Sequence, residues 1–287
     1  VHGLGNKPEK SLLELWWLKS IHEGLDSIGK SRINIPFKMV YWADILHETP
    51  LSMEVEDSEN TYFLEEPYVK GESTIRKEAA SFVSKILNYI EEQLDKIFLN
   101  VDFSINFKNV TDKLIHLYFT ELETYYGEGC SSNGDQDCSS KEKIQNRLSS
   151  LLSEYKDYEI LLIAHSMGSI IAFDVLTKLT EEISINTFVT IGSPLGLPVI
   201  GARIFAEQKK INPSLKKPVV PNSVSCRWYN LSDKLDKIAL DHTLNDDFNA
   251  NIHGIKAKDY FVYNNYEIDR KPNPHKSYGY LRTPELA

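Results

Sequence analysis

The segment YEILLIAHSMGSIIAFDVLTKL, which starts at Tyr158, constrains the fold more than any other part of the chain. Its first seven residues form a nearly continuous apolar run, the pattern of a strand that is buried on both faces of a parallel sheet, and helical spacing follows at once. Ala164 and Gly168 stand two positions before and after Ser166, where a strained strand-to-helix turn needs small residues. The segment therefore predicts a turn that presents the Ser166 hydroxyl. The alternative, a serine that only caps the helix, is disfavoured by the strand before it.

A serine hydroxyl is a weak nucleophile unless a general base lies within hydrogen-bond reach. In sheets of this type the catalytic order along the chain is serine, acid, histidine. His242, His253 and His275 follow Ser166 and every plausible acid. We prefer His275, because it lies in the loop beyond the apolar run DYFVYN, where the last strand would deliver a base to the carboxyl edge of the sheet.

Two carboxylates, Asp233 and Asp236, follow the predicted strand SVSCRWY. One of them is needed to accept the second N–H of the histidine and to fix its tautomer. We favour Asp236, because the apolar Ile238 and Ala239 after it can anchor the acid loop. Asp233 stays open as the acid, with a helix N-cap as its alternative role.

An oxyanion hole requires two backbone N–H groups, commonly one after the nucleophile and one from the loop after an early strand. Met167 supplies the first of these groups. The opening His2-Gly3-Leu4-Gly5 lies at the end of a predicted strand, and its Leu4 N–H is the natural second donor.

Strands alternate with helices in the rest of the chain, which predicts an α/β fold with a doubly wound, mostly parallel sheet. The strand at 158–164 leads into the turn at Ser166, called the elbow from here on. Besides this strand, the pattern gives a helix at 11–25 and strands at 35–45, 187–191, 223–229 and 259–264. We assign residues 1–45 and 156–287 to the core of the domain. Residues 46–155 are predicted to form a helical insertion, or cap, within the same domain.

The predicted insertion contains two amphipathic segments, at 72–98 and 111–126, with apolar residues three or four apart. The stripe in the first segment could line an acyl pocket, although contact between cap and core is the more common role of such a stripe. Its members are Ile86, Leu87, Ile90, Leu94, Ile97 and Phe98.

Composition narrows the possible partners. The formal charge of -9 opposes binding to nucleic acid, whose phosphates would be repelled. No apolar run is long enough to span a membrane. The cysteines Cys130, Cys138 and Cys226 lack the spacing of a zinc site, so neither a metal nor another cofactor is expected. Cys130 and Cys138 allow a local disulfide or two reduced thiols. No leader is visible from Val1 onward, and we expect a cytoplasmic location.

Several runs resemble the α/β-hydrolase superfamily, and within it the lipase- and esterase-like proteins. AHSMGSIIAFDVL, FVTIGSPLG, DKIA and HKSY are similar to the corresponding runs of phospholipase-like DDHD-domain proteins. The resemblance covers residues 1–44 and 158–287, and it favours Asp236 and His275. Lys234 and Lys237 replace prolines of the family pattern. The resemblance implies an α/β-hydrolase fold and cleavage of a carboxylic ester.

The sequence thus predicts a serine hydrolase that cleaves a small-molecule or lipid ester through an acyl-serine intermediate. Two alternatives use the same residues or the same fold. The first is an acyltransferase that passes the acyl group to an alcohol or amine. The second is a binding or scaffold protein that keeps the fold without turnover.

Overall fold

The computed structural model describes the chain in segments that cover the sheet, the helices around it and part of the predicted insertion. These segments are residues 1–32, 34, 36–71, 92–93, 96–100, 105–110, 113–126, 139–179 and 182–287. Within them, no helix combines the length and the apolar character that a membrane-crossing segment needs.

Helices and strands alternate along the second half of the chain. The described helices are α1 (Lys10–Ser27), α2 (Ala43–Leu46), α3 (Lys113–Tyr126), α4 (Ser140–Glu154), α5 (Met167–Lys178), α6 (Pro198–Ile211) and α7 (Ser277–Leu281). The described strands are β1 (Phe98–Leu99), β2 (Ile105–Asn106), β3 (Leu161–His165), β4 (Ile185–Ile191), β5 (Val224–Ser232), β6 (Ala257–Phe261), β7 (Glu267–Ile268) and β8 (Lys271–Pro272).

The strands β3, β4, β5 and β6 form one sheet in this order, and every neighbouring pair is parallel. The register places Ala164 opposite Thr190, and Thr190 opposite Asn230. All four strands were expected from apolar runs in the sequence, and they are confirmed with ends displaced by a few residues. Because the strands are parallel, the residues that follow them gather at one edge of the sheet.

Alternate residues of the strands face two apolar layers. Leu162, Phe188 and Trp228 belong to a cluster with α3, α4, α5 and α6. Val189 and Leu231 belong to a second cluster, to which α1 and α7 contribute. Both faces of β3 and β4 are therefore largely covered, which explains the apolar runs in these strands, whereas β6 is mostly half-buried or exposed.

The first residues of the chain join the sheet at the edge beyond β3. The Val1 N–H donates to the Ile163 carbonyl at 2.7 Å, and the His165 N–H donates to the Val1 carbonyl at 3.0 Å. This is the bonding of a parallel neighbour, as expected for the end of a strand. The predicted helix after it is confirmed as α1, from Lys10 to Ser27.

The predicted strand at 35–45 is wrong. Among its described residues, 36–42 form no strand and 43–46 form the short helix α2. Met39, Val40 and Trp42 are buried nonetheless, and the Trp42 N–H donates to the His2 imidazole instead of to a neighbouring strand. The apolar and β-branched composition here reflects burial without pairing in a sheet.

The described part of the predicted insertion packs on the sheet. Leu122 of α3 and Leu148 of α4 belong to the same apolar cluster as the strand residues. Most of the first amphipathic segment, with five residues of its stripe or their side chains, lies outside the described residues, as do Cys130 and Cys138. Ile97 packs against the apolar cluster that contains Leu122 and Leu148. The division into a core and an inserted cap stays a prediction.

Candidate active site

Ser166 occupies the turn between β3 and α5 in a backbone conformation that few residues other than glycine adopt. Its φ is 54° and its ψ is -130°. The Ser166 N–H donates to the Ile191 carbonyl at 3.1 Å, and the Ser169 hydroxyl donates to the Ser166 carbonyl at 2.6 Å. Strain of this kind persists only where the surrounding structure enforces it. The strand, the helix and these two bonds therefore hold the serine at the carboxyl edge of the sheet.

Ser166, His275 and Asp236 are joined by hydrogen bonds across long separations in the chain. His275 Nε2 lies 2.8 Å from Ser166 Oγ. His275 Nδ1 lies 2.8 Å from each carboxylate oxygen of Asp236. Since a carboxylate only accepts, Nδ1 carries the proton, and Nε2 of the neutral ring accepts from the serine hydroxyl. The imidazole is thus oriented to remove the Ser166 proton.

The Asp236 side chain is fully buried, and its carboxylate accepts several hydrogen bonds. Asp236 Oδ1 accepts the Ile238 N–H at 2.8 Å, and Oδ2 accepts the Tyr280 hydroxyl at 2.7 Å. Burial alone would raise the pKa of Asp236, but the charge and the hydrogen bond of His275 oppose it. Together with the bonds from Ile238 and Tyr280, they lower this pKa below its usual value. Asp236 is therefore ionised at neutral pH.

The alternatives considered from the sequence take other places in the structure. The Asp233 carboxylate accepts the N–H groups of Leu235 at 2.8 Å and of Asn264 at 2.7 Å, which braces the loop after β5. The His242 ring packs edge-to-face against the Phe261 ring. His253 lines a groove beside the amino ends of β4 and β5, at the opposite edge of the sheet from Ser166.

The loop that carries His275 is held from two sides. The His165 Nε2–H donates to the His275 carbonyl at 2.7 Å. Glu66 accepts the Asn273 side-chain amide at 2.7 Å and the Lys276 ammonium at 3.0 Å. Glu66 comes from the segment predicted as the insertion, so this segment contributes to the position of the imidazole.

The His2-Gly3 turn lies directly against the elbow. A Cβ atom on Gly3 would lie 2.8 Å from Ser166 Cβ, and one on Gly168 would lie 2.5 Å from the His2 carbonyl oxygen. Distances this short exclude any side chain at either position without displacement of the backbone. The two glycines therefore allow the loop after Val1 and the start of α5 to come together.

The orientation of the Leu4 N–H follows from the bonds of His2. The His2 Nδ1–H donates to the Gly3 carbonyl at 2.7 Å, and its Nε2 accepts the Trp42 N–H at 3.0 Å. In a trans peptide the Leu4 N–H points away from the Gly3 carbonyl. Neither the Leu4 N–H nor the Met167 N–H has an acceptor within the described part of the chain. Both donors are available to a bound group.

Lys7 closes the same loop from the other end. Its ammonium donates to the Leu4 carbonyl and to the Gly5 carbonyl, the latter at 3.0 Å. The Gly5 N–H donates to Glu121 of α3 at 2.7 Å. Burial lowers the pKa of Lys7 to about 7, the Lys276 ammonium acts in the same direction, and the Glu121 carboxylate opposes both.

A cavity of about 160 Å³ opens beside Ser166 and His275. Its lining combines apolar and polar side chains. The apolar residues are Leu4, Pro8, Leu13, Trp17, Leu51 and Leu64, and the polar ones include Lys7, Glu66, Asn273 and Lys276.

Sequence reasoning did not identify His2, Lys7, Glu66, His165 or Tyr280 as parts of the site. His2 and His165 adjoin the motifs already recognised, so their position in the sequence was a usable signal. Lys7 bonds to carbonyls only two and three residues away, whereas Glu66 and Tyr280 reach the site through contacts across long separations in the chain, which no local pattern reveals.

Comparison with known proteins gives one match. The family model for lipase (class 3) matches residues 74–227, slightly more than half of the 287 residues. The matched range contains Ser166, whereas Asp236 and His275 lie beyond it. Neither the curated proteins nor the solved structures contain a match. The narrower resemblance to DDHD-domain proteins stays a prediction.

Proposed function

Because this chain belongs to the class 3 lipase family, within the α/β-hydrolase superfamily of lipase-like serine hydrolases, we propose that it hydrolyses a carboxylic ester through an acyl intermediate on Ser166. The family carries the general class of chemistry. The assignment of Ser166, Asp236 and His275 as the catalytic triad is part of the proposal.

Each half of the reaction uses the same groups. Ser166 Oγ attacks the ester carbonyl while His275 Nε2 takes its proton, and Asp236 stabilises the imidazolium that forms. The Leu4 and Met167 N–H groups bind the oxyanion of the tetrahedral intermediate. His275 then returns the proton to the leaving alcohol, and the C–O bond of the ester breaks. Water attacks the acyl-serine in the same way, which releases the carboxylic acid and restores the serine.

A single observation carries the proposal. His275 reaches Ser166 Oγ with one ring nitrogen and Asp236 with the other, each at 2.8 Å. These are the distances that general-base activation of a serine requires. The free N–H groups of Leu4 and Met167 near the elbow give additional support.

The decisive test is covalent labelling with a fluorophosphonate, followed by peptide mapping. We expect the label on Ser166, and we expect Ser166→Ala to lose the label and at least about 10³-fold of kcat/KM towards p-nitrophenyl esters. Ser153→Ala, at an exposed serine of α4, is the matched control and should keep both properties. Labelling elsewhere, or full esterase activity in Ser166→Ala, would contradict the proposal.

The same experiment separates the alternatives. An acyltransferase would take the label but would turn over an ester faster when an alcohol or amine acceptor is added. A scaffold protein would take no label and would leave a varied panel of esters intact. Hydrolysis that does not depend on an acceptor supports the hydrolase.

A further inference from the structure

The loop that carries the Leu4 N–H is intrinsically free to change its peptide orientations. Glycines stand on both sides of Leu4, and Gly5 has a φ of 84°. Without a Cβ, a glycine allows a neighbouring peptide to rotate at little steric cost. Because N–H and C=O point in opposite directions in a trans peptide, rotation of the Gly3–Leu4 peptide would replace the Leu4 N–H by the Gly3 carbonyl. That carbonyl would repel an oxyanion, so the donor is useful only if the loop is held.

The carbonyl groups of this loop are all held by donors of the loop itself. The Gly3 carbonyl accepts the His2 Nδ1–H at 2.7 Å. The next three carbonyls, of Leu4, Gly5 and Asn6, accept from the Lys7 ammonium, the last two at 3.0 and 3.4 Å. An ammonium has three N–H donors, so the three carbonyls match its full capacity. Rotation of any of these peptides would break a bond to a charged donor.

The Lys7 side chain belongs to the wall of the cavity that contains Leu4 and Ser166. Burial lowers its pKa to about 7, the Lys276 charge acts in the same direction, and Glu121 and Glu66 oppose both. The ammonium therefore predominates below this pH and is lost above it. The charged or titratable groups that face it are Glu121 of α3, Glu66, Lys276, and the imidazoles of His2 and His165, whose pKa values burial lowers.

On the basis of the proposed function, we propose that Lys7 is a positioning residue for the oxyanion hole, whose ammonium gathers the Leu4, Gly5 and Asn6 carbonyls and so keeps the Leu4 N–H directed at the oxyanion. The charge of the ammonium favours the oxyanion in the same sense. Lys7 acts through the loop, whereas the proton transfers belong to His275.

Lys7→Met tests this role, because it keeps the length of the side chain and removes its charge and its donors. We expect kcat towards p-nitrophenyl butyrate to fall about 30-fold at about pH 6.5. KM should stay within about twofold, since the ester carries no oxyanion before the attack. An alkyl trifluoromethyl ketone adds to the serine as a tetrahedral oxyanion. Its inhibition constant should rise by the same factor as kcat/KM falls.

The pH profile supplies a readout that a purely structural role would not change. In the wild type, kcat should fall as the pH rises through the pKa of Lys7, about 7, because the ammonium is then lost. Lys7→Met should show no such fall. Rates are measured from about pH 6 to about pH 9, with spontaneous hydrolysis subtracted. The profile of the wild type needs no variant, so it tests the proposal even if Lys7→Met does not fold.

Lys10→Met is the matched control, because it removes the same charge from an exposed lysine three residues further along the chain. It should keep the kcat, the KM and the pH profile of the wild type. Tryptophan fluorescence and urea unfolding show whether Lys7→Met has folded.

The outcomes separate this inference from the proposed function. If the wild type takes no fluorophosphonate label and cleaves no ester, the proposed function fails. The role of Lys7 is overturned, while the hydrolase stands, if folded Lys7→Met loses less than about threefold of kcat. It is also overturned if kcat of the wild type does not fall as the pH rises above the pKa of Lys7.

Discussion

Tyr280 is the residue through which α7 reaches the acid of the site. Its hydroxyl donates to Asp236 Oδ2 at 2.7 Å and accepts the Asp233 N–H at 2.9 Å. Burial, together with the nearby Asp236 charge, raises the pKa of Tyr280 well above its usual value, so the hydroxyl keeps its proton and remains a donor. One side chain thus fixes both the carboxylate and the loop that carries it.

Replacement of Tyr280 by phenylalanine removes this donor without changing the shape of the ring. We expect kcat to fall about tenfold with KM nearly unchanged, because Asp236 is held less firmly against His275. The free energy of unfolding should decrease by about 1 to 2 kcal/mol, since the two buried hydrogen bonds of the Tyr280 hydroxyl are lost. Kinetics on p-nitrophenyl esters and urea unfolding measure the two effects.

Tyr125→Phe is the control for this prediction. Its hydroxyl donates to Asp174 Oδ2 at 3.0 Å, so the change removes a comparable buried hydrogen bond to a carboxylate that does not involve Asp236. It should lower stability and leave kcat as it is. An equal effect of both variants on kcat would reduce the role of Tyr280 to general stability.

Single residues show how far the sequence could predict the site. Ser166 can be identified because its signal is local, with a strand before it and a helix after it. The order of residues along the chain leaves His242, His253 and His275, and the position of His275 after the last predicted strand favours it over the other two. The apolar residues after Asp236 and the resemblance of DKIA favour Asp236 over Asp233, but the choice depends on which carboxylate points towards His275, and that is a matter of loop geometry.

At the scale of elements, α5 begins where the His2-Gly3 turn crosses its first residues. Gly168 makes this crossing possible, because a Cβ there would lie 2.5 Å from the His2 carbonyl oxygen and 2.7 Å from the Val1 carbonyl oxygen. The position of the Leu4 N–H relative to Met167 therefore depends on a contact between two backbones.

Gly168→Ala tests this contact. In most helices the change would be favourable, but here we expect the free energy of unfolding to decrease by about 1 to 3 kcal/mol, as for other overpacked sites. The rate of Ser166 labelling should fall as well, because the two N–H donors move apart. Gly201→Ala in α6, where a Cβ would meet nothing within 4 Å, should instead raise stability by about 0.5 to 1 kcal/mol. Equal changes in the free energy of unfolding for Gly168→Ala and Gly201→Ala would contradict the close approach of the His2 and Gly168 backbones.

The sequence predicted the elements of the sheet better than the segments around it. Strands β3 and β4 are visible because burial on both faces gives short apolar runs, whereas β5 and β6 have more exposed residues and are indicated by their β-branched and aromatic content. The segment at 35–45 has a similar composition without being a strand, since composition records burial and not hydrogen-bond pairing. Whether such a segment joins a sheet depends on which acceptors its N–H groups bond to. The Trp42 N–H bonds to the His2 imidazole instead of to a strand.

At the scale of the whole molecule, acidic residues gather near the loop after β4. Burial, together with the charges of Asp241 and Asp246, raises the pKa of Asp247 to about 6. The usual value for an aspartate is about 3.9. Between these two values the unfolded chain holds fewer protons than the folded one, so the contribution of Asp247 to stability is lost as the pH rises through this window.

Asp247→Asn should therefore raise the Tm by about 2 °C at about pH 8, with a smaller change at about pH 4 where the carboxyl is protonated. Differential scanning calorimetry of both proteins at the two pH values measures the difference. Asp157→Asn, at an exposed aspartate, should shift the Tm equally at both pH values. A gain from Asp247→Asn that is the same at both pH values would contradict the raised pKa.

The long separations between Ser166, Asp236 and His275 have a consequence for biosynthesis. The ribosome synthesises Ser166 before Asp236 and His275. The elbow can therefore form on a nascent chain that still lacks its general base. Under the proposed mechanism, the hydroxyl is then no more reactive than that of any surface serine. In that mechanism, attack on an ester requires the segment around His275 to have docked against Glu66 and His165. The order of the residues along the chain thus delays reactivity until translation has passed the histidine.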